Sequence, residues 1–502
     1  MTFVPLDILP GLRSDDTEFE VGQTGWTDCS NVRPWRGRGE VIGGWETATL
    51  GMLDGVARAI HVWDGPTQQL TAIGTHTKLY ILVDGELIDI TPDDFVPGNQ
   101  DGLGGNGFGT GAYGVGDYGE PSQIDSFALT WSLDNRGTTL VANPRGQGIF
   151  IWDEGDAKAT PLTNAPTECT YMRVSAQRQI IAYGTEEEVS GTFNPRAIRW
   201  SDILDPTDWT TGTDNNAGEY VLEDAGRLVG AIEVADAALV MTDNAVYQED
   251  FLGNPGQTYA YRKLGDRSGL AGPNAMCEIG GVVYFIDRSF KLWAGALNTA
   301  PIRIINPIST ELTDRLDPIQ RDKIFMSSLS QYREIWIFFQ SNDADDVDGY
   351  VAYNVETDLW FKGDLARSAF KDATPAQYPM GISPSGNVFI HEKGRSANGG
   401  PIPWFVDSGD ITLAMGQRAI KVRGVRPDFA EQVGAVNLTL FAKPYPQSTK
   451  EARITLNMPP DKEKVDFLYS GLFSQFRLSG NTAPARCRFG KLTFDIGQGG
   501  RR

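Results

Sequence analysis

The chain has 502 residues, 44 Lys+Arg against 65 Asp+Glu, and a formal charge of −21. A composition of 40% hydrophobic residues with 24 Phe, 16 Tyr and 12 Trp can bury a large core, which excludes global disorder. The high counts of Gly (57) and Pro (28) point to many tight turns rather than long helices, and no apolar run long enough for a transmembrane helix occurs.

Short β-branched and aromatic runs separated by turn residues dominate from residue 51 onward. The clearest group lies between Ala59 and Pro92, with runs AIHVW (59–63), QLTAIG (69–74), KLYILV (78–83) and ELIDIT (86–91). The last two are joined by Asp84-Gly85, a two-residue hairpin signal. Four antiparallel strands in some 35 residues is the size of one β-propeller blade. Comparable groups follow around FALTWSL (127–133), YMRVS (171–175), LVGAIEV (228–234), VVYFID (282–287), EIWIFF (334–339) and YPMGIS (378–383). The centres of their second strands (Leu70, Leu140, Ile181, Val240, Val283, Trp336 and Val388) are spaced mostly as blade repeats are. The fold class expected is all-β: a β-propeller of about seven blades, with an inserted Gly-rich loop and an additional C-terminal β-sandwich-like domain.

The expected division is an extended N-terminal segment (1–50) that packs on or closes the propeller, a propeller over 51–400, and a C-terminal basic β domain over 411–502. Two insertions interrupt the propeller: a Gly/Tyr-rich loop at 96–122 and a short helix at 305–322, centred on Ser309–Arg321. RSANGGP (395–401) reads as a linker. Residues 411–502 hold 15 Lys+Arg and 7 Asp+Glu, so this end is basic beside a strongly acidic remainder. Pairing of these cations with an acidic neighbouring surface is the favoured reading.

The segment NQDGLGGNGFGTGAYGVGDY (99–118) admits a GxGxxG pattern, but no strand-to-helix transition follows it, so it does not read as a phosphate loop. It is either a solvated surface loop or an adaptable Gly/Tyr loop that lines a lumen or docks a partner, through Gly107, Phe108, Gly109, Tyr113, Gly114 and Tyr118. SNDADDVDGY (341–350) fails the calcium-loop pattern, with Val347 and Asp348 where an oxygen ligand and glycine are needed, and reads as a solvated hairpin. Three histidines, four scattered cysteines and the absence of a GxSxG elbow leave no nucleophile–base signature or local metal spacing, so the expectation is no enzyme, no cofactor and no metal. The cysteines read as reduced core thiols, and Trp131, Trp152, Trp200, Trp293, Trp336 and Trp360 as core rather than sugar platforms.

Both ends of the chain carry a family likeness. PGLRSDDTEFEVGQTGWTDCSNVRPWRGRGEVIGGWE (10–46), with Trp26, Asn31-Val32-Arg33 and Gly43-Gly44-Trp45, resembles the start of tail nozzle proteins of short-tailed bacteriophages. These are also described as packaged-DNA stabilisation or tail tubular B proteins. FRLSGNTAPARCRFGKLTFDIGQGGRR (476–502) resembles their ends, and GFGTGAYGVGDYG (107–119) and YNVETDLWFKG (353–363) have counterparts in phage virion proteins of this kind. The resemblance implies a structural protein of the virion tail, assembled in the host cytoplasm as a homo-oligomeric ring of six below the tail adaptor. Its lumen would retain packaged double-stranded DNA and conduct it on ejection, with fibre or spike proteins docked outside. Candidate assembly contacts are Arg477, Arg486, Arg488, Arg501 and Arg502. The absence of a recognisable secretory signal in MTFVPLDILPGLRSDD agrees with that expectation. The alternatives are a propeller glycosidase, which needs only a carboxylate pair in the central funnel, and a receptor-binding module acting on host surface glycans.

Overall fold

A computed structural model of the chain describes residues 2–102, 127–223, 226–373, 375–412 and 416–501. Seven four-stranded antiparallel sheets form a β-propeller. Blade 1 consists of Ala57–Asp64, Gln69–Thr75, Leu79–Val83 and Glu86–Asp89. Its last turn takes φ of 48° at Asp84 and 84° at Gly85, the positive pair that a two-residue hairpin with matched twist requires. Its second strand is buried from Leu70 onward because neighbouring blades cover both faces.

Blade 2 runs through Trp131–Arg136, Thr139–Pro144, Phe150–Trp152 and Thr160–Pro161. Blade 3 comprises Cys169–Val174, Ile180–Glu186, Phe193–Trp200 and Gly218–Val221, and blade 4 Leu228–Val234, Ala237–Thr242, Ala245–Asn254 and Gln257–Asp266. Blade 5 is Met276–Ile279, Val282–Ile286, Leu292–Gly295 and Ile302–Arg303. Blade 6 is Phe325–Leu329, Glu334–Phe339, Gly349–Asn354 and Leu359–Asp364. Blade 7 takes Ala369–Lys371, Met380–Ile382 and Val388–His391 from one end of the propeller and its outermost strand, Trp45–Thr47, from the other. The innermost strand of each blade lies beside that of the next, and the innermost strand of blade 7 returns to that of blade 1, so the ring is closed.

The rest of the N-terminal arm does not belong to the propeller. Thr2–Leu6 pairs with Leu492–Arg501, which continues through Arg418–Arg426 to Val465–Gly471. Trp26–Ser30 opens a second sheet through Trp404–Ser408, Phe473–Gly480, Val436–Lys443 and Glu451–Met458. Val32–Trp35 and Arg38–Val41 form a third with Arg486–Phe489 and Phe429–Val433. The first two sheets face each other through Phe476 and Phe494, 6.3 Å between ring centroids, and through the Tyr469 hydroxyl, which donates to the Phe441 carbonyl. A terminal domain is thus woven from both chain ends. One apolar core runs from blades 4–7 into it without a break.

Two local expectations need correction. The helix is Ser309–Arg315, ended at Leu316, with a separate 3-10 turn at Arg321–Lys323. Pro318 forbids continuation. Its first amides are capped from the N-terminal arm, where the Asp15 carboxylate accepts from Ser309 N–H at 2.8 Å and Thr310 N–H at 3.1 Å. The acidic hairpin at 341–350 is not simply solvated, since Asp346 and Val347 are buried.

All four cysteines are free and buried, and burial pushes the Cys29 and Cys487 thiols up to about 12. The native protein is expected to give no thiol release with a disulfide reagent at pH 8, and four equivalents once denatured. Absorbance titration checks this.

Candidate functional site: the central cavity and its closed end

The innermost strands enclose a cavity of about 580 Å³. One end is closed by hydrogen bonds between blades that are not neighbours, which must therefore cross the axis. Arg58, at the start of blade 1, donates both guanidinium nitrogens to Asp346 of blade 6 at 2.7 Å. It also donates to the Gln100 carbonyl at 3.1 Å, while its own carbonyl accepts from Asn274, just before blade 5, at 3.2 Å. Lys323, fully buried, donates to Asp101 at 2.5 Å and to Gln340 at 2.6 Å. Gln320 exchanges two bonds of 2.9 Å with the backbone of Gly102. Arg145 of blade 2 reaches Asp322 at 2.9 Å. Burial raises the Asp346 carboxyl, and the bonds from Arg58 with the charges of Arg58 and Lys323 more than reverse this, so it is held below its ordinary value.

Farther along, the wall carries Glu278 from blade 5, Ser330 and Arg333 beside blade 6, and Lys371 and Asp372 from blade 7. Asp372 accepts from Ser330 N–H at 2.9 Å and Ala373 N–H at 2.7 Å, and Glu278 from Gly281 N–H at 2.6 Å. Burial pushes the Lys371 ammonium below its ordinary value, and the charges of Asp134 and Asp372 only partly oppose this. His61, near both Lys371 and Asp134, is also pushed down by burial; its Nε2 lies 2.8 Å from Asn135 Oδ1 and its ring stacks on Trp63. Among the described residues no group of three or more His, Cys, Asp or Glu is arranged to hold a metal.

The candidate loop residues Gly107, Phe108, Gly109, Tyr113, Gly114 and Tyr118 lie outside the described residues, as does Arg502. The flanks of that loop are fixed at the closed end, Gly102 on Gln320 and Phe127 under the Arg145 guanidinium at 4.0 Å. Arg477 is bidentate on Asp407 at 2.5 and 2.7 Å and lies over Phe405. Arg486 and Arg488 converge on Glu40 and Glu431. Arg501 pairs through its strand with Arg418. Arg477, Arg486 and Arg488 are therefore paired with carboxylates of the chain's own arm and terminal sheets. Counted over 1–41 and 404–502, the terminal domain holds 19 Lys+Arg and 16 Asp+Glu, and the propeller between holds 25 and 49. The arm, with Asp407 and Asp410, thus reduces the basic excess of the C-terminal stretch, and the negative charge resides in the propeller. Trp131, Trp152, Trp200, Trp336 and Trp360 are buried, and Trp293 is half-buried with its indole N–H on Asp287 at 2.8 Å.

The propeller and terminal domain are clamped together by Arg33. Its guanidinium is bidentate on Glu392 beside blade 7 (3.1 and 2.6 Å), 3.3 Å from Glu334 of blade 6, and 3.7 Å over the Tyr332 ring. Burial pushes the Glu334 carboxyl up to about 7 against the pull of Arg33 and the Trp336 indole N–H. A Cβ at Gly43 would fall 2.2 Å from Glu392 Oε2, so only glycine lets the arm pass this carboxylate on its way to blade 7. Sequence reasoning missed Arg58, Asp346, Lys323 and Lys371 as site residues, because the first three meet partners hundreds of residues away and Lys371 sits in a three-residue strand.

No family model matches the chain, and no curated protein matches it either. Among solved structures it is similar to BBS1N, crystallised in complex with ARL6DN, with 13% identity and a TM-score of 0.39 over 71% of this chain and 99% of that one. It is also similar to the computationally designed Ika8 protein, with 13% identity and a TM-score of 0.37 over 69% and 99%. Likenesses this remote carry no functional argument, and the propeller is established here by its own sheets.

Proposed function

We propose that the chain is a structural subunit of a phage tail nozzle, which assembles as a ring around the DNA exit path, retains the packaged genome and conducts it on ejection. The observation that carries this reading is that three separate stretches resembling nozzle proteins meet at one junction. Leu12 N–H donates to the Trp360 carbonyl at 2.8 Å and Asn31 N–H to that of Lys362 at 3.1 Å. Trp26 packs on Phe489 at 6.2 Å, and Glu40 pairs with Arg488 along the strands. The likeness therefore coincides with the clamp that joins propeller and terminal domain, as a ring subunit that holds back a packaged genome requires.

The cavity also constrains the conduit. A volume of 580 Å³ equals roughly 20 water molecules at about 30 Å³ each, and one end is closed, so no duplex passes through a single chain. DNA must run between copies, past propeller surfaces whose excess negative charge offers phosphates no adhesion. Light scattering on the chain, alone and with the adaptor ring of the same phage, tests the proposal. A closed ring on the adaptor is the expected outcome. Indifference to every authentic tail component, with release of sugars from host polysaccharide, would replace the nozzle by a glycosidase.

A further inference from the structure

We propose that the central cavity is a binding site for a small anion, bearing a phosphate or carboxylate group, held by Lys371 and Arg333. This does not depend on the nozzle reading. The space is adequate: ligand pockets typically span about 300–1,000 Å³, and this one, about 580 Å³, is closed at one end.

The hydrogen-bond inventory of the wall specifies the sign of the ligand. Both carboxylates that line it, Glu278 and Asp372, already accept from backbone N–H groups, and Asp372 also accepts from the Ser330 hydroxyl. The donors are left over. Lys371 and Arg333 line the same cavity, yet among the described residues neither ammonium nor guanidinium makes a hydrogen bond or an ion pair. The phenol of Tyr171, from blade 3, also lines the cavity without a hydrogen-bond partner among the described residues. Lysine and arginine carry donors only, so what completes this wall is an acceptor, and a charged one.

The surplus is notable in a chain with 65 Asp+Glu against 44 Lys+Arg, where Arg33, Arg58, Lys323 and Lys443 each have carboxylates in contact. Burial disfavours the half-buried Lys371 ammonium more than the nearby charges of Asp134 and Asp372 favour it, and such a group at a cavity is retained for what it binds. Arg333 is exposed, with its guanidinium nitrogens near Gly280, which also lines the cavity.

Calorimetry of the full chain with ribose 5-phosphate, citrate and neutral ribose tests this, alongside amine labelling by trinitrobenzenesulfonate with peptide mapping. The expected result is a Kd at or below about 1 mM for at least one anionic probe, no heat with ribose, and shielding of Lys371 from the reagent by the probe that binds. The phosphate and citrate arms separate the two sources of negative charge. Lys371→Met and Arg333→Gln should each weaken binding about tenfold or more. Lys371→Met should also unfold at a higher temperature than the wild type, which shows that it is folded. Failure of both anions to bind or to shield Lys371 would overturn the proposal, as would unchanged binding in both variants.

Discussion

Replacing Arg33 by methionine is expected to cost about 3–5 kcal/mol of stability at pH 8, the magnitude for removing one partner of a buried ion pair. Glu392 would lose its bidentate partner and Glu334 its attracting charge, both inside the junction of blades 6 and 7 with the N-terminal arm. Methionine fills much of the volume, so the loss is electrostatic rather than a cavity effect. The pH dependence gives a second reading. The Glu334 carboxyl has its folded value raised from 4.5 to about 7 by burial, so the folded state holds a proton there that the unfolded chain has already released. Its contribution is complete below about 4.5 and is lost as pH rises through about 7. Loss of Arg33 raises that carboxyl further, so the Arg33→Met penalty should shrink at pH 5. Glu334→Gln, which keeps an acceptor for the Trp336 indole, should be more stable than wild type at pH 8 and should flatten the profile between pH 5 and 8. Urea unfolding at the two pH values measures all three. An Arg33→Met penalty independent of pH would mean that the carboxylates are solvated.

Deleting residues 1–47 is expected to abolish folding rather than weaken it. The truncation removes the outermost strand of blade 7 and leaves unpaired edges on Leu492–Arg501, Trp404–Ser408 and Arg486–Phe489. Exposed strand edges of that length template aggregation. It also takes away Glu18, which accepts from the buried Lys443 at 2.6 Å, and the Arg33 clamp. A shorter deletion of 1–6 strips only one edge strand and should remain soluble with a lowered midpoint. Soluble expression and circular dichroism of the two truncations decide it. A folded, monodisperse chain lacking 1–47 would show that the closure of blade 7 is dispensable.

What could be read from the sequence was local, and what could not was paired at long range. Asp84-Gly85 announces its hairpin because the turn chemistry is written in two adjacent residues, and Leu70, Leu140 and Trp336 mark second strands because both faces of those strands are buried. Outermost strands of two residues, Thr160–Pro161 and Ile302–Arg303, leave no period to detect. The same brevity hid Ala369–Lys371, and with it a lysine that lines the cavity. Asp346 looked like one more solvated acid in an acidic run. Its burial follows from Arg58, 288 positions earlier, and only the apolar Val347 beside it gave a local sign. For Trp26, Asn31 and Arg33 a family likeness flagged the residues, while their physical role, joining two lobes, needed the fold.

The pairing of Trp45–Thr47 with Val388–His391 also sets a timetable for synthesis. The first 47 residues leave the ribosome roughly 340 residues before the strand they complete, a wait of about 17–70 s at about 5–20 residues per second. Leu492–Arg501, the partner of Thr2–Leu6, emerges later still. During that interval Trp26 and Trp45 of the arm lack the strands they pair with, while six blades can form behind them. Newly made chains therefore depend on the arm staying unaggregated until these strands emerge, and slow or interrupted translation should reduce the yield of soluble protein more than the stability of the finished molecule suggests.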